Sequence, residues 1–100
     1  MNNVAIAANW LSTEGAGPVA IVDIDAHHGN GTQQIFYERS DVLYTSIHVD
    51  PGEGWFPHWC GFADETGLGP GIGANRNFPL APGSGDDVLL AALERLCEVV

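Results

Sequence analysis

Positive charge is what this sequence has least of. Three Lys and Arg residues stand against thirteen Asp and Glu, giving a formal net charge of −10. Phosphate backbones are gripped by Lys and Arg, so direct nucleic-acid binding is excluded as a function class. Such a surface would attract a cationic ligand, although an acidic balance is also common among soluble proteins. No apolar run reaches the roughly eighteen residues of a membrane span. The first residues lack a basic stretch followed by an apolar core, which excludes a secretory signal there. Cysteine is confined to Cys60 and Cys97, far apart and outside any metal-binding spacing. They are expected as free thiols in a reducing cytoplasm. Charged residues are scarce at 16% while hydrophobic ones reach 45%, a balance that suits a packed chain and not a disordered one.

The informative stretch is Val19–Gly31. Val19 to Ile24 is an almost unbroken apolar run rich in β-branched residues, with Gly17 and Pro18 behind it and Gly29 ahead. That is the pattern of a strand buried on both faces, predicted over about residues 19–25. Asp23, Asp25, His27 and His28 follow at its far end, polar groups that a buried strand does not carry without partners. Alternate strand residues share a face, so Asp23, Asp25 and His27 are expected to point one way and His28 the other. Asp25 and His27 then offer an oxygen and a nitrogen side by side, donor types that suit zinc. Acidic residues after a strand also cap the helix that follows, and the spacing alone leaves both readings open. Sites in open α/β sheets lie at the carboxyl ends of strands, which is where this cluster stands.

Elsewhere the periodicities mark further elements. Val4, Ala7, Ala8 and Leu11 fall at helical spacing, predicting a helix over 3–13 with that apolar face inward. A second helix is expected over 32–38 with Ile35 and Phe36 packing inward, then a strand over 42–48. Strand, helix, strand within about thirty residues is a βαβ unit with parallel strands. Residues 50–76 lose periodicity, with five glycines from Gly61 to Gly73, and read as one long loop. Its aromatic residues, Trp55, Phe56, Trp59 and Phe62, fit packing over a core as well as contact with a ligand. A short strand over 77–80 follows. Ser84 is then placed as N-cap of a helix, with Asp87 three residues on and an inward stripe of Leu89, Ala92, Leu93, Leu96 and Val100. Two doubly buried strands need neighbours and helices on both faces. Too few elements are present for that, so the chain is expected to be part of a larger α/β domain.

Asp23-Ile24-Asp25-Ala26-His27-His28-Gly29-Asn30-Gly31-Thr32-Gln33 resembles the zinc-binding segment of the histone deacetylase superfamily. The likeness continues through Ile35-Phe36-Tyr37, Ser46-Ile47-His48, Phe56-Pro57, Phe62-Ala63-Asp64-Glu65-Thr66-Gly67 and Asn77-Phe78-Pro79-Leu80. The Ala-Asp-Glu-Thr-Gly stretch and the glycine-rich run after it look most like the bacterial acetylpolyamine amidohydrolase and class II-like branch. Asn30, where class I deacetylases carry Asp, favours the same branch.

The resemblance implies a partial three-layer α/β/α sandwich of the arginase/deacetylase kind, over residues 1–100. It makes Asp25 and His27 two of three zinc ligands. Asp23 becomes the carboxylate that orients a catalytic histidine and helps to hold a structural potassium or sodium ion. The Ser46 hydroxyl and the backbone oxygens of Asp25, His27 and Ile47 complete that ion's shell. A second alkali-metal site would use carbonyls near Phe36, Arg39 and Val42. Phe56 is implied as a wall of the substrate tunnel, and Asn30 as a neighbour of the ligands that does not itself coordinate. The implied reaction is zinc-dependent hydrolysis of the acetyl amide of acetyl-lysine or of an acetylpolyamine, with no nucleic-acid or membrane partner. The tandem-histidine general base, the third zinc ligand and an oxyanion tyrosine are expected outside these residues. An isolated 100-residue chain is therefore expected to be inactive, unless a homodimer supplies the missing groups. An arginase-like ureohydrolase is the rival enzyme reading, but its second manganese needs a carboxylate where Gly29 stands.

Overall fold

Residues Val42–Val49 form the middle strand of a three-stranded parallel sheet in the computed structural model, which describes residues 1–100 apart from Ala16. In chain order the elements are α1 (Asn3–Thr13), β1 (Val19–Asp23), α2 (Asn30–Phe36), β2 (Val42–Val49), β3 (Asn75–Leu80) and α3 (Asp86–Val99). Short 3-10 turns at Pro51–Glu53 and Gly69–Gly71 interrupt the long connection. Both pairings are parallel, with Val19 opposite Val42 on one side of β2 and Tyr44 opposite Asn75 on the other.

Alternation along β2 divides the core in two. Val42 and Tyr44 pack with Ile21, Phe36 and, from α1, Ala5 and Ala8. Ile47, on the opposite face, packs with Phe78, Ala92 and Leu96 under α3. Helices therefore cover both faces, the α/β/α layering that parallel strands require. Thr45 is fully buried, and its hydroxyl donates to the Ile21 carbonyl at 2.8 Å, so its polar atom is satisfied.

Several boundaries and faces differ from the sequence reading. α1 spans the residues expected, but it buries Ala5 and Ala8 and leaves Val4, Ala7 and Leu11 exposed. The Asn2 side chain caps α1 through the Ala5 N–H and donates to Thr32 on α2, which fixes the helix's rotation. β1 stops at Asp23 and lies at the sheet edge, so Val22 and Ile24 are exposed instead of doubly buried. α2 starts two residues earlier than expected, and only Phe36 of the Ile35–Phe36 pair turns inward. β3 is longer than expected, beginning at Asn75. Gly85, not Ser84, is the N-cap of α3, because the Ser84 hydroxyl donates to the Ala81 carbonyl at 2.6 Å in the preceding turn. Of the α3 stripe, Ala92 and Leu96 are buried, whereas Leu89, Leu93 and Val100 are exposed.

Arg39 fastens the connection between α2 and β2. Its guanidinium holds both oxygens of Asp41, at 2.9 and 2.6 Å, and reaches Asn9 and Ser12 at the end of α1. That fork keeps the Asp41 carboxyl down at about 2. Where α3 meets the sheet, removal of the buried Leu96 side chain should leave a cavity. Leu96→Ala is expected to cost about 2–5 kcal/mol, against about 0.5 kcal/mol or less for the exposed Leu90→Ala. Urea denaturation of the two variants measures both.

Candidate metal centre

The end of β1 is built from stepped side-chain turns. Asp23 Oδ1 accepts the backbone N–H of Asp25 at 3.1 Å, and Asp25 Oδ1 accepts that of His27 at 2.8 Å. These Asx turns replace strand geometry beyond Asp23. They still bring the expected pair together, with Asp25 Oδ1 and His27 Nδ1 3.6 Å apart. Donors held at about 2.0–2.1 Å by one tetrahedral zinc ion would lie about 3.3 Å apart, so the pair fits two corners of such a site. Both side chains are open to solvent, Asp25 at 70% and His27 at 54%. Among the described residues, no group of three His, Cys, Asp or Glu side chains gathers round one metal position.

Asp23 faces inward from the same turn. Its Oδ2 accepts the Tyr44 hydroxyl at 2.9 Å, and burial raises the Tyr44 pKa, keeping the phenol protonated as that donor. A Cβ on Gly29 would strike this hydroxyl and come 3.0 Å from Asp23 Oδ2. Position 29 therefore has no room for the extra carboxylate of a dinuclear ureohydrolase site.

His28 points away from Asp25 and His27 and is buried at 3% exposure. Its Nε2 lies 2.9 Å from Gln33 Oε1, which also accepts Nδ2 of Asn75 at 3.0 Å and Nδ2 of Asn77 at 2.8 Å. An amide oxygen only accepts, so the His28 proton is on Nε2. Nδ1 is left facing the Cys60 sulfur at 3.7 Å. Cys60 and Cys97 are both free, and burial pushes the Cys60 thiol up. His48 is a second buried imidazole, with Nε2 2.7 Å from the Gly61 carbonyl and Nδ1 2.8 Å from Ser46 Oγ. As Nε2–H donates to the carbonyl, Nδ1 accepts from the Ser46 hydroxyl. The Ser46 hydroxyl hydrogen is thus committed to His48.

Aromatic side chains crowd the rim. The Trp55 ring lies 5.7 Å from the His27 ring, and Trp59 meets Phe56 edge-on at 6.1 Å. Phe56 is 51% exposed. Beside it, Asn30, Gln34, Tyr37, Trp59 and Cys60 line an open cleft of about 470 Å³ between α2 and the loop.

The structure thus gathers Asp23, Asp25, His27 and Trp55 at one end of β1, with Ser46 and Ile47 buried on the adjacent strand. Phe36 O accepts the Arg39 N–H at 3.0 Å, so two of the residues named for a second alkali-metal site meet in one turn. Sequence reasoning missed Gln33, Tyr44, Glu65 and Asn75 as structural partners of this end. Polar residues inside otherwise apolar strands, such as Asn75 and Asn77 in β3, were the available signal.

Burial pushes His28 and His48 below the ordinary imidazole value of 6.5, and at His28 the neighbouring His48 adds to the effect. Below that value the unfolded chain binds protons that these rings resist, so stability is full above it and falls as pH drops through it. Thermal denaturation across a pH series should give a steady Tm near pH 7–8 and a falling one from about pH 6.5 downward. A Tm that rises on acidification over that window would contradict the neutral pair.

The histone deacetylase domain model matches residues 1–100. Acetylpolyamine amidohydrolase 1 of Pseudomonas aeruginosa is 55% identical over 97 residues, which are 97% of this chain and 28% of that protein. Human histone deacetylase 7 is 46% identical over 96 residues, covering 91% of this chain and 10% of that protein. The crystal structure of acetylpolyamine aminohydrolase from Burkholderia pseudomallei superposes with a TM-score of 0.93 at 43% identity, covering 99% of this chain and 28% of that one. The chain therefore spans less than a third of these relatives' length. It belongs to the histone deacetylase family.

Proposed function

We propose that residues 1–100 are part of a zinc-dependent amidohydrolase domain that removes the acetyl group from an acetylated amine, either an acetylpolyamine or acetyl-lysine. The observation that carries this reading is the Asp25–His27 pair, 3.6 Å apart at the carboxyl end of β1. It stands in a chain matched from end to end by the histone deacetylase domain. Zinc bound there would polarise the amide carbonyl and lower the pKa of an attacking water.

The residues of this chain have distinct tasks in that reading. Asp25 Oδ1 and His27 Nδ1 would be two of the metal's protein donors. Asp23, fixed by Tyr44 and by the Asp25 N–H, would orient the general-base histidine of the whole domain. The Ser46 hydroxyl oxygen, with Asp23 and the backbone oxygens of Asp25, His27 and Ile47, would hold a potassium or sodium ion. Carbonyls at Phe36, Arg39 and Val42 would hold a second. Phe56 walls the channel for the substrate's aliphatic chain, and Asn30 stands beside the ligands without joining them. The third ligand, the tandem histidines and the oxyanion tyrosine belong to parts of the domain that these residues do not contain. The net charge of −10 suits a polyamine better than an anionic substrate. The thiols Cys60 and Cys97 suit a cytoplasmic enzyme.

In the protein that carries this segment within a whole domain, Asp25→Ala should weaken zinc binding far more than His28→Ala. The His28 loss should stay near the roughly 10–100-fold typical of an outer hydrogen-bond partner. Chelator competition measures both, and equal losses would overturn the ligand assignment. Zinc binding without acetate release from acetyl-lysine or acetylpolyamine would overturn the substrate assignment. Residues 1–100 alone should show no zinc-dependent acetate release. Lacking the general base costs about 10²–10⁴-fold, and lacking an oxyanion donor about 10²–10³-fold more.

A further inference from the structure

The aromatic rim is carried by a loop with little secondary structure of its own, yet one carboxylate ties it down. Glu65 Oε1 accepts the Gly61 N–H at 2.9 Å and Gln33 Nε2 at 2.8 Å. Gly61 is thereby held at both ends, since its carbonyl takes the His48 Nε2–H at 2.7 Å. Its φ is +105°, and a Cβ there would come within 2.8 Å of the His28 ring. The Glu65 carbonyl accepts Asn75 Nδ2 at 2.8 Å, and the Phe62 carbonyl accepts Asn77 Nδ2 at 3.2 Å. Upstream of this clamp lies the stretch that sets Trp55 against His27 and Phe56 against Trp59. His58 within it holds φ at +69°, a conformation a non-glycine residue keeps only when its surroundings enforce it. Glu65 joins that loop, at Gly61, to α2, at Gln33, and Gln33 in turn bonds His28, the residue next to His27.

We propose that Glu65 is a positioning residue: its carboxylate fixes the Trp55–Phe62 loop over the end of β1, so that Trp55 stands beside His27 and Phe56 is held against Trp59. It touches neither metal nor substrate. It acts by accepting two N–H donors with one oxygen, a task an amide oxygen can also perform. The catalytic part of this inference rests on the amidohydrolase reading above, whereas the loop-holding part does not.

The test compares Glu65→Gln, Glu65→Leu and wild type in the protein carrying the whole domain. Glu65→Leu should speed amide exchange over residues 55–62 and raise KM for an acetylated amine about tenfold, the scale of one lost charge-assisted hydrogen bond. Its kcat and its zinc affinity by chelator competition should stay within about threefold of wild type, because the metal donors are untouched. Glu65→Gln should restore exchange and KM. If Glu65→Leu does not accumulate as folded protein, Glu65→Asp, too short to reach both donors, should show the same pattern. Unchanged exchange in Glu65→Leu, or equal damage in the Gln and Leu variants, would overturn the proposal. If wild type released no acetate at all, the amidohydrolase reading would fall, and the exchange comparison would still decide whether Glu65 holds the loop.

Discussion

One buried oxygen, Oε1 of Gln33, receives N–H groups from His28, Asn75 and Asn77. Those donors come from the turn after β1 and from β3, while Gln33 itself sits on α2. A lost partner in so dry a place leaves each donor facing its full desolvation cost, about 1–3 kcal/mol per group. The cluster is therefore held together as a unit, and it fixes where the turn bearing His27 can lie. It is not fully satisfied, since Oδ1 of Asn75 and of Asn77 lack partners among the described residues. Two such acceptors side by side on one strand face are a standing cost, offset by the register they impose on α2, β2 and β3.

The same burial sets the protonation of the site's surroundings. His28 and His48 lie 4.7 Å apart, centroid to centroid, and both are kept neutral by desolvation. Neutral rings present one donor and one acceptor each, and both rings use the donor on a carbonyl oxygen. A polar layer thus lies between the sheet and the loop without adding positive charge beneath Asp23 and Asp25. Separation of roles follows from this: the exposed imidazole His27 faces the solvent side, while the buried ones serve as struts.

Much of the fold was legible because apolar β-branched runs and helical spacing report directly on elements. The helix over Asn3–Thr13, both strands of the βαβ unit and their parallel pairing follow from those patterns. Faces were less legible. α1 turns Ala5 and Ala8 inward because the Asn2 cap and the Asn2–Thr32 bond set its rotation, and small residues allow close approach to the sheet. The pair Asp25 and His27 was found from alternation along a strand, yet Asx turns are what bring the two together.

Sequence by itself determined the donor types at the end of β1 and the parallel α/β architecture, because residue types and short-range periodicity carry those properties, while the family resemblance rested on the Asp23–Gln33 motif and the stretches after it. Tertiary structure alone decided which polar residues are buried together. Gln33, His48, Gly61, Glu65, Asn75 and Asn77 lie up to 44 positions apart along their hydrogen bonds, and no local pattern links them. Packing of α2 and the long loop against one face of β2 and β3 brings them into contact. There the absence of water makes each hydrogen bond a condition on the others.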